Sequence, residues 1–288
     1  MPNLSPPRSA RVFALLVLPL LARGQEQTAD RVLYRDDFLQ VVSPDGATED
    51  QARVAAKKAM AAWEFDFNLM HWANPERIRK PVTLRFIGDA RMNLEYPGMR
   101  AYARGSTFSV RLSLIDDPSL VRTFAHELGH IQELRARGGY PVPQYFTEGN
   151  GLMLNQLYSD YLGQDRRIPG AAQVRTMMAL TAEEAWTILT DETKSRQEPN
   201  MECMGLFFVE YLRARKKFPD AVPKMGRVFE LVGGGKTYAQ AFEQTYGLPV
   251  WRIVFEIVDY LDRTKAQPAE RIIGTRYEEY LPGNAAPH

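Results

Sequence analysis

Apolar positions along this chain fall into two periods, and the switch between them marks out the elements. From 49 to 72, Ala52, Ala56, Ala59, Trp63, Phe67 and Met70 recur at three- and four-residue intervals, which predicts a helix with one buried face. Val82–Ile87 alternates instead, as a half-buried strand does. Thr107 to Ile115 alternates again, with Phe108, Val110, Leu112 and Leu114 on one side and Ser109, Arg111 and Ser113 on the other. Two earlier strands are expected at Val32-Leu33-Tyr34 and Phe38 to Val42, closed by the Ser43-Pro44-Asp45-Gly46 turn. The helical period returns at Leu120, Phe124, Leu128 and Ile131. Asp117 is the expected cap there, Pro118 the first helical residue and Gly138-Gly139 the stop.

A further helix is expected to begin at Glu148, capped by Thr147 and continued by Leu152, Met153, Leu154 and Leu157. Residues 163–200 are polar and broken, with one short helix near 181–189. The rest reads as helical at 201–217, 221–232, 237–246 and 249–263. Gly233-Gly234-Gly235-Lys236-Thr237 is a helix stop and a cap. It is no phosphate loop, because the motif's first glycine would fall at Glu230 and the segment follows a helix, not a strand. The predicted class is α+β: a small mixed or antiparallel sheet with its helices, then a mostly helical C-terminal lobe. The expected divisions are 25–162 for the sheet-bearing lobe, 163–200 for a linker, 201–265 for the helical lobe and 266–288 for a loosely held end.

Composition narrows the picture. With 288 residues, 45% of them hydrophobic, the chain can build a sizeable core. Its formal charge is +1, and the three arginines of residues 1–24 (Arg8, Arg11, Arg23) account for more than all of it. The balance gives no footprint for nucleic acid or for a membrane surface. Val12 to Ala22 is an apolar run too short to span a bilayer, preceded by Arg8 and Arg11 and followed by Arg23-Gly24. That is the pattern of a signal peptide, with cleavage expected before Gln25 and a secreted or periplasmic product. Cys203 is the single cysteine, so no intrachain disulfide is possible; it is read as a small apolar residue on a buried helix.

The chemistry sits in His126-Glu127-Leu128-Gly129-His130. His126 and His130 are four residues apart and leave one helical face, where both can hold one metal ion. Glu127 lies where it can reach a water on that metal and take its proton. Two of the chain's four histidines are in this motif. His71 has no partner at ligand spacing and is read as structural. A third ligand is needed, and Glu148 is the candidate, in Tyr145-Phe146-Thr147-Glu148-Gly149.

HExxH followed by an aromatic-x-x-Glu-Gly element resembles the gluzincin metallopeptidases, which include thermolysin, the zinc aminopeptidases and the peptidase MA-like proteins. The resemblance implies His126, His130 and Glu148 as zinc ligands and Glu127 as general base. It covers roughly residues 30–262. Seventeen residues separate His130 from Glu148, one fewer than in the aminopeptidases. In such proteins a strand near 107–112 forms the sheet edge above the metal and an extended substrate pairs with it. A place in the sheet interior is an equal alternative, and residues 98–106 are then a turn or flap near the cleft.

Three departures separate this chain from those relatives. No Gly-x-Met-Glu-Asn element is present to grip a substrate's free amine. Glu202 stands where a tyrosine steadies the oxyanion. Asn155 stands where an acid supports the ligands from behind, and an amide there could still orient a histidine. The resemblance therefore implies a secreted zinc-dependent peptidase acting on peptide or protein substrates, endopeptidase rather than aminopeptidase. A zinc-bound binding protein without turnover, or a hydrolase of other amides, stays open.

Overall fold

The computed structural model describes residues 29–163, 180–214 and 216–263. The expected signal peptide, residues 164–179 of the expected linker and the expected loose end at 266–288 lie outside the described residues.

Five strands form one mixed sheet: β1 (Arg31–Arg35), β2 (Leu39–Ser43), β3 (Val82–Ile87), β4 (Ala101–Arg104) and β5 (Thr107–Arg111). Their order is β1-β2-β3-β5-β4. β2, β3 and β5 run parallel, and β1 and β4 flank them antiparallel. The crossover from β2 to β3 carries α1 (Glu49–Met70) and α2 (Pro75–Ile78), and that from β3 to β5 carries α3 (Asp89–Glu95) and β4. α4 (Leu120–Arg137) packs against β4 and β5, and α5 (Gln144–Tyr161) packs against α4. Then come α6 (Ala182–Thr190), α7 (Glu192–Ser195), α8 (Met201–Ala214), α9 (Ala221–Gly233), α10 (Tyr238–Tyr246) and α11 (Val250–Arg263). The chain is α+β, with a mostly helical C-terminal region, as the periodicities predict.

Local chemistry explains the boundaries. Thr48 caps α1 through a reciprocal bond with Gln51, and His71 ends the helix in the left-handed region. Thr181 and Thr237 cap α6 and α10 in the same way, so the glycine-rich segment 233–237 is the stop and cap the sequence implies. α4 starts two residues later than expected: Asp117 Oδ1 accepts from the Ser119 N–H, and the helix proper opens at Leu120. It stops at Gly138 with φ 62°, a conformation that suits glycine.

The 107–115 stretch is corrected. β5 ends at Arg111, and Leu112–Leu114 turns into a 3-10 helix, so Leu112 and Leu114 do not continue the strand face. Nor is β5 the sheet edge. Gly105, at φ 60°, lets residues 101–104 fold back on β5, so β4 takes the edge and β5 the interior. Burial on both faces follows, and Ser109 is enclosed along with Phe108 and Val110.

α4 is fastened on three sides. Leu120, Phe124, Leu128 and Ile131 enter the core. Gln132, fully buried, accepts from Trp72 Nε1 at 2.8 Å and donates to the Trp63 carbonyl at 3.0 Å, which ties α4 to α1. Arg135 reaches the Ile78, Lys80 and Pro81 carbonyls and the Ser106 hydroxyl, binding α4 to the approach of β3 and the β4–β5 turn. Burial lowers the Arg135 pKa to about 10. One continuous core runs from β2 to α11.

Candidate metal centre

α4 carries His126, Glu127 and His130 on the face opposite its core stripe. α5 carries Glu148, but the helix begins earlier than the sequence suggests. Pro143 precedes the first helical residue, Gln144, and its carbonyl receives the Phe146 and Thr147 N–H groups. Thr147 is therefore no cap; its hydroxyl donates to the Gln144 carbonyl inside the helix. Glu148 sits in the second turn, where packing rather than the helix terminus decides where its carboxylate goes.

That packing rests on glycines. Gly149 and Gly205 face each other where α5 crosses α8, so closely that a Cβ on either would collide with the opposite backbone. Gly151 serves the rings directly: a Cβ there would lie 3.0 Å from Cε1 of both His126 and His130. Gly129 leaves room for Leu154 of α5. These small residues bring α5 close enough to α4 for Glu148 to reach the histidines.

The three side chains converge. His126 Nε2 and His130 Nε2 are 3.0 Å apart, and each is 3.4 Å from Glu148 Oε2. All three residues are half-buried, and their ligand atoms lie within 4.8 Å of one another. Tetrahedral zinc with bonds of about 2.0–2.1 Å sets its ligands about 3.3 Å apart, close to these separations. Two ring nitrogens and a carboxylate oxygen aimed at one point make an acceptor-rich locus that a cation suits. Among the described residues this is the one group of His, Cys, Asp or Glu side chains placed to hold a metal ion. His71, at the exposed end of α1, is not part of it.

The electrostatics are coupled. Burial alone would lower the His130 pKa, but the carboxylates of Glu148 and Glu133 outweigh it and hold the imidazolium well above its usual range. Burial would raise the Glu148 pKa, and His130 and His126 instead hold it far below the usual carboxylate range.

Glu127 and Glu202 line the same cleft, which measures about 620 Å³. The other walls include Tyr102 and Ala103 of β4, Arg137 at the end of α4, and Glu192 and Arg196. Glu202 therefore faces the site. Desolvation and the Glu148 carboxylate push its pKa up. The segment 98–106 lies beside the cleft, as expected of a flap, but as the edge strand and its turn.

Behind the ligands, Asn155 does not support a ring through its side-chain oxygen, which is buried and without a hydrogen-bond partner. The group that meets a ligand ring from behind is Glu133, whose Oε2 lies 3.2 Å from His130 Nδ1. The sequence carries a signal for it, since a residue three after His130 lies on the adjoining helical face. Cys203 is half-buried and packs against the core, in keeping with a small apolar role.

No protein-family model matches the sequence, nor does any curated protein.

Proposed function

We propose that this chain is a secreted, zinc-dependent peptidase, with an internal peptide bond of a peptide or protein as substrate. The observation that carries the reading is the meeting of His126, His130 and Glu148 beside Glu127 at the wall of an open cleft. Two imidazoles and one carboxylate are a ligand set used for catalytic zinc, with room left for a fourth ligand. Zinc held there would supply Lewis acidity and a water acidified toward neutral pH.

The protein's own residues do the rest. Glu127 accepts the proton of the attacking water as the carbonyl carbon is attacked, then hands it to the departing amine nitrogen as the C–N bond breaks. β4, at the rim of the sheet and along the cleft, takes an extended substrate as an added strand, which lays the carbonyl across the site. Endopeptidase action is favoured over aminopeptidase action because the sequence lacks the amine-gripping element of the relatives. The pattern of residues 1–24 supports action outside the cytoplasm. Among the described residues, no helix is long and apolar enough to cross a membrane.

Glu127→Gln tests the chemistry. We expect hydrolysis of a peptide library to fall by about 10²–10⁴-fold, with zinc content unchanged near one per chain. Unchanged hydrolysis at full zinc content would remove Glu127 from the mechanism. A second reading, a zinc-holding binder without turnover, draws on Glu202 standing where a tyrosine hydroxyl would be. Zinc-loaded wild type that binds peptides yet cleaves none at several pH values would favour it.

A further inference from the structure

Behind the metal-facing side of α4 lies a buried polar cluster that hydrolysis does not use. Glu133 is 2% exposed, Asn150 and Asp66 are fully buried, and they come from α4, α5 and α1 respectively. A carboxylate removed from water is destabilised by several kcal/mol unless donors surround it. Glu133 has such donors. Asn150 Nδ2 donates to its Oε1, and His130 Nδ1 faces its Oε2 at 3.2 Å. Asp66 has none: both of its oxygens are buried without a hydrogen-bond partner. Two neighbouring buried carboxyls cannot both ionise cheaply. The donors are all at Glu133, and Asp66 is the carboxyl whose pKa is pushed up, by burial and next by the Glu133 carboxylate.

Facing a side-chain carboxyl oxygen across 3.2 Å, His130 Nδ1 is placed to donate. When the ring holds a metal, that donation keeps the one remaining proton on Nδ1 and leaves Nε2 as the nitrogen that ligates. The ring cannot turn away without leaving Glu133 with one donor. The arrangement also spans the molecule: α5 supplies both Glu148 in front of the ring and, two residues on, Asn150, which pins the group behind it.

We infer that Glu133, anchored by Asn150, is a positioning residue that fixes His130 for metal binding. This rests on the metal-centre reading above. A purely structural role, in which Glu133 only satisfies a buried ring, would leave metal affinity alone.

The test is metal affinity, read by competition between the full-length folded protein and a chelator, with Zn²⁺ and Co²⁺ as probes. Glu133→Gln should weaken both about 10–100-fold and alter the Co²⁺ visible spectrum. Glu133→Asp, which keeps the charge, should recover part of the loss. Asp66→Asn should stay within about twofold of wild type, since an amide replaces a carboxyl whose pKa is already pushed up. Wild-type-like affinity in a folded Glu133→Gln variant would overturn the inference and leave the metal centre standing. A wild type that binds neither ion would overturn the metal centre itself, and the inference with it. Should Glu133→Gln fail to fold, the His130 ring proton in zinc-loaded wild type decides. A slowly exchanging, strongly downfield Nδ1 proton supports the inference, and a rapidly exchanging one sinks it.

Discussion

The two walls of the cleft are built to different standards. The wall that carries His126, His130 and Glu148 is shaped from behind: glycines set the helix spacing, and Glu133, held by Asn150, meets one ring. The opposite wall is β4 with its turn, a four-residue edge strand whose Tyr102 and Arg104 are exposed. Among the described residues, little holds those side chains except a contact between the Tyr102 and Tyr96 rings, 4.8 Å between centroids. On the proposed reading, the site would be exact about what it does to a bond while remaining permissive about which chain brings that bond. Preorganisation is concentrated where charge would develop.

Substitutions on the two walls should therefore differ in kind as well as size. The largest effect is expected at the helix crossing. Gly205→Ala would push a methyl into the backbone around Tyr145 and Gly149. We expect about 3 kcal/mol or more of lost stability in denaturant unfolding, together with lost metal. A stable, metal-binding Gly205→Ala variant would mean that the crossing is looser than the backbone contacts imply.

Asp66 gives an intermediate effect with a sign set by pH. Burial, and next the Glu133 charge, raise its pKa well above the ordinary 3.8, so the folded protein keeps a proton that the unfolded chain has released. Stability is therefore intact at low pH and declines as pH rises from about 4 toward the folded-state pKa. The slope is up to about 1.4 kcal/mol per pH unit from this group. Asp66→Asn should remove that slope. It should match wild type near pH 4 and exceed it at pH 7 in denaturant unfolding; an equal difference at both pH values would show that Asp66 is not held neutral.

The smallest effect belongs to the open wall. Tyr102→Ala should raise KM for a peptide substrate a few-fold, roughly 1 kcal/mol, and leave kcat and Tm near wild type. A loss confined to kcat would instead place this tyrosine at the reacting atoms.

Much of this was legible in the chain. His126 and His130 could be paired from spacing alone, because a helix places i and i+4 together whatever surrounds it. The caps at Thr48, Thr181 and Thr237 follow from local hydrogen bonding. Glu148 was legible only as a candidate, since its approach depends on Gly149 meeting Gly205 across 56 residues of chain. Its helix also starts four residues early, because Pro143 rather than Thr147 opens the turn. The edge position went to β4 and not β5 for a similar reason. Alternation reveals a strand but not its neighbours, and the turn at Gly105 decides the pairing. Asp66 reads in sequence as a polar residue on an amphipathic helix. Only the packing of α1 against α4 encloses it.

Among the described residues no strand pairs with the outer rim of β4, and this has one more consequence. Unpaired backbone donors and acceptors cannot tell a substrate from another copy of the same protein, so the rim is also the place where two molecules could join sheet to sheet and begin to aggregate. Its brevity and the arginine at its end, Arg104, are the features that discourage such pairing. Lengthening the strand or neutralising that arginine to improve substrate capture would carry a solubility penalty.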